Sequence, residues 1–394
     1  MTVTDVKARD RSESVSKPLA FIDLAAQQER IRPQVEAALM RVLDHGKYIM
    51  GPEITELEED LATFCGAKYT VACGSGTDAL LMLLMAKEIG PGDAVICPSF
   101  TFTATAEMIA LLGASPVFID IEEESFNLDP AQLPAAVEAA KAAGLTPKGI
   151  VAVDLFGLPA DYDAIEAFAK ENGLWVLDDA AQGFGGSRHG RKVGTFGFGT
   201  ATSFFPAKPL GGYGDSGAIF TDDESLLETL HSIRNHGAST KSFDNPIVGL
   251  NGRMDSMQAG ILIEKLKIFP EEIDARDRVA AAYNEGFADL ENVVTPVVAD
   301  GLQSAWAQYT LKIKSGLRDK LVAALKDMNV PTAIHYLKGI HLRTVYADYP
   351  RAGGALPVTD RLCGEVVSLP MHPYLEQDDQ ARVIEAVRSA MKSL

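Results

Sequence analysis

The chain has 394 residues, of which 47% are hydrophobic and 23% are charged, as is typical of a globular protein with two or three folding units. Its formal net charge of −18 would repel nucleic-acid phosphates, which argues against binding to DNA or RNA. No apolar segment approaches the roughly 18 residues of a membrane span, so we expect no membrane contact. The four cysteines form no CxxC pair, so we expect no metal site. Since the N-terminus also lacks the apolar core of a signal peptide, we expect a cytoplasmic protein.

Short apolar segments alternate with amphipathic ones between about residues 68 and 221, which predicts an α/β domain with parallel strands. Val, Ile and Leu run almost continuously through the apolar segments, so we expect helices on both faces of the sheet. The predicted strands are 69–73, 94–98, 116–120, 149–157 and 174–179. The predicted helices between them are 78–90, 103–114 and 160–173.

The alternation weakens after about residue 260, where the sequence predicts a long helix that is interrupted at Pro270. Beyond it, 307–313 is typical of a strand, and 318–328 and 378–394 are typical of helices. A helix near 31–45 would pack with either part of the chain. We therefore predict three regions, which are a flexible arm at 1–20, a large α/β domain with a mostly parallel central sheet at 21–274, and a smaller α+β domain at 275–394.

The segment Cys73-Gly74-Ser75-Gly76-Thr77-Asp78-Ala79 follows a predicted strand and begins a helix. Glycines let an anion approach the backbone, and the helix N-terminus offers free N–H groups, so the segment predicts a phosphate site to which Thr77 adds a hydroxyl. A tight turn with a capped helix is the alternative. The same letters match the loose dinucleotide fingerprint G-x-G-x-x-A, although no clear acidic residue follows at the expected distance.

Two carboxylates, Asp178 and Asp179, end the fifth predicted strand. One of them either caps the next helix or holds a cationic nitrogen and stays ionised.

Lys208 lies between two proline residues in an apolar segment. Most lysines are solvated, but desolvation would lower the pKa of this one and suit it to form a Schiff base with a carbonyl. A phosphate site, a carboxylate for a ring nitrogen and such a lysine are what pyridoxal 5′-phosphate requires.

These motifs resemble the DegT/StrS-type aminotransferases of nucleotide-linked keto-sugars, which have aminotransferase fold type I. The resemblance runs from about Phe21 to the C-terminus and includes FIDLAAQQERI, CGSGTDAL, LDDAAQ, SFFPAKPLGGYGD, GLNGRMDSMQAGIL and PTAIHY. Within the family the chain is most similar to enzymes that aminate UDP-2-acetamido-2-deoxy-3-oxo-D-glucuronate. The resemblance therefore implies pyridoxal 5′-phosphate as cofactor, a UDP-linked keto-sugar and L-glutamate as substrates, a homodimer with shared active sites, and a pathway to a surface polysaccharide.

The resemblance also implies a role for individual residues. Lys208 would carry the cofactor, Asp179 would pair with its pyridine nitrogen, and Gln182 would reach its ring hydroxyl. Phe102 would stack on the ring, although without the resemblance a phenylalanine would be taken as a core residue. The phosphate would be held by Gly76, Thr77, Ser203 and, from the neighbouring subunit, Asn251. The sugar nucleotide would contact Arg253, His335 and Tyr336, of which the last two would otherwise be taken as a strand end.

Two positions depart from the family pattern. Ser216 stands where relatives often have glycine, and Leu337-Lys338-Gly339-Ile340-His341 replaces a segment with proline. Three other functions are alternatives. A dehydratase of this fold has histidine in place of Lys208, a regulator would keep the fold without turnover, and a nicotinamide-dependent dehydrogenase would use the glycine loop without needing Lys208.

Overall fold

The computed structural model describes residues 18–239 and 243–394, so most of the predicted arm at 1–20 lies outside the described residues. The helices are α1 (Leu24–His45), α2 (Pro52–Cys65), α3 (Gly76–Ala86), α4 (Ala104–Leu111), α5 (Leu133–Ala142), α6 (Tyr162–Asn172), α7 (Glu224–Arg234), α8 (Ser256–Phe287), α9 (Arg318–Asp327), α10 (Pro357–Glu365) and α11 (Gln377–Ser393). The strands are β1 (Tyr69–Cys73), β2 (Asp93–Pro98), β3 (Ser115–Ile119), β4 (Thr146–Val153), β5 (Trp175–Asp179), β6 (Ser187–Arg188), β7 (Arg191–Lys192), β8 (Gly199–Ser203), β9 (Gly217–Thr221), β10 (Val293–Val294), β11 (Leu302–Gln303), β12 (Tyr309–Ile313) and β13 (Val366–Leu369).

The central sheet has seven strands in the order β1-β9-β8-β5-β4-β2-β3. The pairs from β8 to β3 are parallel, and β9 runs antiparallel to both of its neighbours. This confirms the predicted α/β class and the mostly parallel sheet. The fourth predicted strand is corrected at both ends, because β4 begins at Thr146 and residues Leu155–Gly157 form a short 3-10 turn.

Both faces of the sheet are covered, as the apolar strands predicted. Because successive side chains of a strand point to opposite faces, Val95 and Cys97 of β2 pack in one core with residues of α3, α4 and α7, whereas Ala94 and Ile96 pack in another with residues of α5 and α6. In the part of the chain that the structure describes, no helix combines the length and apolar composition needed to cross a membrane.

Helix α8 is continuous from Ser256 to Phe287, so the predicted interruption at Pro270 is wrong. Pro270 lies on the exposed side of the helix, where it removes one hydrogen bond while apolar contacts hold the helix before and after it. Phe269 and Ile273 pack in the core beneath the central sheet, and Tyr283 and Phe287 pack against β12 and β13 in a separate core. The domain boundary at 274/275 falls between these two groups and stays a prediction.

The N-terminal helix packs on α8. Ile31 and Val35 of α1 contact Ile261, and the helix begins at Leu24, where the Asp23 carboxylate accepts a 3.0 Å hydrogen bond from the Ala26 N–H. Ile261 belongs to the half of α8 that lies before the predicted boundary, so α1 packs on the region that is predicted as the large domain. The predicted C-terminal strand and helices correspond to β12, α9 and α11.

Candidate active site

A cavity of about 500 Å³ opens at the edge of the central sheet where β2, β4, β5 and β8 end. Ligands of open α/β sheets bind at this edge, and ligand pockets commonly measure about 300–1,000 Å³. Nine of the eleven residues predicted for the site line the cavity: Gly76, Thr77, Phe102, Asp179, Gln182, Ser203, Lys208, His335 and Tyr336. Asn251 and Arg253 are not among its lining residues.

The glycine loop places the N-terminus of α3 at the cavity. The Ser75 hydroxyl accepts a 3.0 Å hydrogen bond from the Asp78 N–H and caps the helix, so the capped turn is present. The N–H groups of Gly76 and Thr77 come earlier in the helix, where intrahelical acceptors are missing. A Cβ atom on Gly76 would lie 2.6 Å from the Ser203 Cβ, and one on Gly217 would lie 2.5 Å from the Ser75 carbonyl carbon. Glycine is therefore required for α3 to meet the ends of β8 and β9.

Lys208 and Asp179 form the charged centre of the cavity. Burial lowers the pKa of Lys208 to about 8, and the Asp179 charge acts in the opposite direction. Burial raises the pKa of Asp179. The 2.7 Å hydrogen bond from the Thr105 hydroxyl, the hydrogen bond from the Ala181 N–H and the Lys208 charge each lower it, but by less. A cationic ring nitrogen beside Asp179 would add a further attraction and favour the ionised carboxylate.

Gln182 connects the charged centre to the C-terminal part of the chain. Its Oε1 accepts a 2.8 Å hydrogen bond from the Phe156 N–H, and its Nε2 donates to the Tyr336 hydroxyl at 3.4 Å. His335 and Tyr336 lie in a turn rather than at a strand end. Burial raises the pKa of Tyr336 and lowers that of His335, whose pKa the Lys208 charge lowers further. Both side chains therefore favour their neutral forms.

Phe102 lies in the loop after β2 and is 56% exposed. An aromatic ring that lines a cavity without being packed in the core is available to stack on a planar ligand. The alternative that Phe102 is a core residue is wrong.

Asn251 and Arg253 lie just outside the cavity, in the segment before α8. Asn251 is exposed and pairs with Asn235 in an isolated β-bridge, and the Arg253 Nη1 donates to the Asn235 Oδ1 at 2.8 Å. The carbonyl between them, from Gly252, accepts a 3.0 Å hydrogen bond from the Gly74 N–H. The segment is therefore fixed to the glycine loop while its side chains stay outside this subunit's own cavity.

The sequence analysis missed several polar residues behind the cavity. Thr105 of α4 holds Asp179, and the Tyr162 hydroxyl lies 2.9 Å from the Asp154 Oδ1 and 2.6 Å from the Asp178 Oδ1. Asp178 is fully buried on the opposite side of β5 from Asp179. In the sequence these side chains are visible only as polar residues inside apolar segments.

The residues present fit pyridoxal 5′-phosphate. The glycine cradle accommodates a phosphate, the buried Asp179 accommodates a ring nitrogen, and Lys208 supplies an amine of lowered pKa in the same cavity. Residues 18–239 and 243–394 contain no group of three or more side chains suited to hold a metal ion.

Comparisons with known proteins agree with this cavity. The chain is 46% identical, over 91% of its length and 96% of the relative, to the UDP-2-acetamido-2-deoxy-3-oxo-D-glucuronate aminotransferase of Pseudomonas aeruginosa. Its fold matches the crystal structure of a DegT/DnrJ/EryC1/StrS aminotransferase from Brucella abortus with a TM-score of 0.92 and 48% identity, covering 94% of this chain and 99% of that one. It also matches NtdA from Bacillus subtilis, solved with bound pyridoxamine phosphate, with a TM-score of 0.86 and 28% identity, covering 97% and 87% of the two chains.

The profile of the DegT/DnrJ/EryC1/StrS aminotransferases matches residues 29–388, which is nearly the whole chain. The expected family, cofactor and class of enzyme are thereby confirmed. The chain belongs to the DegT/DnrJ/EryC1/StrS family of pyridoxal-phosphate-dependent aminotransferases.

Proposed function

We propose that the enzyme transfers the amino group of L-glutamate to C3 of UDP-2-acetamido-2-deoxy-3-oxo-D-glucuronate. The observation that carries this proposal is the Lys208 amine and the Asp179 carboxylate in one cavity with the glycine cradle. The Pseudomonas aeruginosa relative, named for this sugar, supports the substrate. Another 3- or 4-keto-sugar linked to UDP, dTDP or GDP is the second candidate, because the segment 337–341 departs from the family pattern.

The cofactor, when bound, supplies an electron sink for the electron pair left on the amino carbon when its proton is removed. Asp179 would hold the ring nitrogen in its protonated form, and Gln182 would contact the ring hydroxyl from its fixed position between Phe156 and Tyr336. The phosphate would lie against Gly76, Thr77 and Ser203, and Phe102 would cover the ring.

Lys208 moves the protons in both half-reactions. Its Nζ, neutral at a pH above about 8 because burial lowers its pKa, takes the α-proton of L-glutamate. In the second half-reaction the same amine delivers a proton to C3 of the sugar, so the new C–H bond forms on the face where Lys208 lies. The low polarity that lowers this pKa also keeps the amine nucleophilic toward a carbonyl.

The active unit that we propose is a homodimer. Asn251 and Arg253 lie outside their own cavity, and an exposed apolar segment adjoins them, in which Tyr48, Ile49 and Met50 are 48%, 49% and 43% exposed and Ile49 bridges to Asp255. In such a dimer Asn251 would reach the neighbour's cofactor phosphate. Arg253, together with His335 and Tyr336 of the neighbour, would bind the anionic sugar nucleotide and offset the acidic surface of the chain.

The cytoplasm is the cell compartment that we propose, since sugar nucleotides are the substrates and the four cysteines are free and buried. The product would enter the synthesis of a surface polysaccharide such as a lipopolysaccharide O-antigen. Both statements follow from the proposed substrate.

The test is the visible absorption spectrum of the purified enzyme with pyridoxal phosphate, before and after addition of L-glutamate. We expect a band of the lysine-bound cofactor that glutamate converts to the band of its amine form, and that the keto-sugar then restores. Lys208→Ala should abolish the first band, and the exposed Lys320→Ala should not.

Three outcomes would contradict the proposal. A cofactor band that ignores glutamate would exclude this donor or indicate a regulator. A response to glutamate that the keto-sugar does not reverse would exclude this sugar. The absence of any cofactor band would show that Lys208 does not bind the cofactor in this protein.

A further inference from the structure

Gln308 lines the active-site cavity, and the cofactor does not account for it. The Oε1 of its side chain is buried and has no hydrogen-bond partner among the residues that the structure describes. A buried polar atom without a partner is rare and costly, so a group that is absent from the free protein is expected to pair with it.

The backbone around Gln308 is held firmly. The Gln308 N–H donates to the Phe156 carbonyl at 3.3 Å, and the Ala305 N–H donates to the Gly157 carbonyl at 2.8 Å. Tyr309, the next residue, is buried in the C-terminal core, where its hydroxyl donates to the Asn284 Oδ1 at 2.6 Å. Because successive side chains of an extended chain point to opposite sides, Tyr309 fixes Gln308 on the side of the cavity.

Phe156 links Gln308 to the cofactor site. Its carbonyl accepts from the Gln308 N–H, while its own N–H donates to the Gln182 Oε1. Gln182 in turn donates to the Tyr336 hydroxyl. Gln308 therefore lies at the part of the cavity bounded by Gln182 and Tyr336, where the substrate rather than the phosphate would bind.

Gln308 also lines a second, much smaller cavity of about 20 Å³, together with Ser125, Ser304 and Thr310. This volume holds about one water molecule. A water there would pair with one end of the amide only, which leaves the other end for a ligand in the large cavity.

We propose that the Gln308 carboxamide binds the acetamido group at C2 of the sugar, next to the carbon that is aminated. An acetamido group offers both an N–H donor and a carbonyl acceptor, so it can pair with the end of the amide that a water leaves free. Its methyl group suits the apolar side chain of Val153 in the same cavity. This inference rests on the proposed function and adds a determinant of its substrate.

The experiment compares Gln308→Met, which keeps the length of the side chain and removes both hydrogen-bonding ends, with the wild type in the two separate half-reactions. The sugars are UDP-2-acetamido-2-deoxy-3-oxo-D-glucuronate and its analogue with hydrogen at C2, which offers the amide no hydrogen-bonding group. We expect Gln308→Met to lower kcat/KM for the acetamido sugar roughly 10- to 100-fold, mainly through KM. It should leave the rate with L-glutamate and the activity toward the analogue within about twofold of the wild type.

The controls separate recognition from folding. The exposed Gln377→Met should leave every rate unchanged, and Gln308→Glu, which retains an acceptor, should keep part of the preference for the acetamido sugar. The assignment would be overturned by an equal loss of activity with both sugars, or by a matching loss of rate with glutamate. An unchanged preference for the acetamido sugar would also overturn it and would leave a buried water as the partner of this amide. Failure of the wild type to respond to glutamate would instead count against the proposed function.

Discussion

At the scale of single residues, the behaviour of Lys208 follows from burial acting against the charge of Asp179. Because burial lowers the pKa of the free amine from 10.5 to about 8, the neutral nucleophile becomes abundant near pH 8. We expect the rate at which the cofactor-free protein captures pyridoxal phosphate to rise about tenfold per pH unit below pH 8 and to level off above it. Stopped-flow absorbance across pH 6–10 measures this profile.

Asp179→Asn is the informative comparison for this profile. It removes the attraction that favours the ammonium form, so the midpoint should move to lower pH, while the exposed Asp300→Asn leaves it in place. A wild-type midpoint near 10.5 would show that the cavity does not desolvate Lys208.

The buried residues Asp154, Asp178 and Tyr162 predict how stability depends on pH. The single hydroxyl hydrogen of Tyr162 cannot serve both carboxylates, so the second short contact requires a proton on a carboxyl group. Burial raises the pKa of Asp154 from 3.8 to about 7 and raises that of Asp178 as well. The folded state then keeps a proton that the unfolded chain loses near pH 4, and the free energy of unfolding falls as pH rises from about 4 to 7.

Asp154→Asn should remove the share of this slope that comes from Asp154, a few kcal/mol at about 1.4 kcal/mol per pKa unit, while the buried Asp178 keeps its own share in the variant. Urea unfolding at pH 5 and pH 7.5 measures the difference between the two proteins. The same slope in the variant as in the wild type would show that another group holds the proton.

The residues found from sequence differ in kind from those missed. Gly76, Asp179 and Lys208 can be found because their neighbours in the sequence indicate their role. They are a glycine before a helix, a carboxylate at a strand end and a lysine between prolines. Gln308, just before β12, reaches the cavity and Thr105 of α4 reaches Asp179 behind it only through tertiary packing, and no local pattern marks them. Without the family resemblance, Phe102 and His335 would also have been missed.

At the scale of elements, the junction of α3 with β8 defines the phosphate cradle. A methyl group on Gly76 would meet the Ser203 side chain at 2.6 Å, so α3 would have to move away from the end of the strand. Gly76→Ala should weaken binding of pyridoxal phosphate at least tenfold while the fold persists. Equilibrium dialysis of the cofactor, with far-UV circular dichroism as a check of the fold, measures this change.

Gly90 offers a matched control, because a Cβ atom there would meet no atom within 4 Å and its φ is not positive. Gly90→Ala should leave cofactor affinity unchanged. Equal affinity in the Gly76→Ala protein would show that the phosphate binds elsewhere.

Elements also show where sequence patterns fail. The sequence predicted β2, β3 and β5 within a residue of their bounds, because the apolar residues of buried parallel strands form distinctive continuous runs. The predicted break at Pro270 is wrong. Proline disfavours a helix interior locally, but the apolar cores on either side of Pro270 keep α8 continuous. Tertiary packing of this kind is not visible in a sequence window.

At the scale of the whole molecule, the position of Asn251 requires a second subunit for the proposed phosphate contact. Asn251 is exposed and does not line its own cavity, whereas Lys208 does. If Asn251 serves the neighbour, Lys208→Ala in one subunit and Asn251→Ala in the other damage the same site of a mixed dimer. One site then lacks both residues, and the other has both.

Mixing the two variants after dissociation therefore tests the arrangement directly. Each variant alone should have little activity, and an equal mixture should recover about a quarter of the wild-type rate, because half of the dimers are mixed and each has one intact site of two. If Asn251 acted in its own subunit, every site would lack one residue and mixing would restore nothing. An affinity tag on one variant, with co-purification of the untagged variant after mixing, confirms that subunits have exchanged, so a null result after exchange would contradict the shared site.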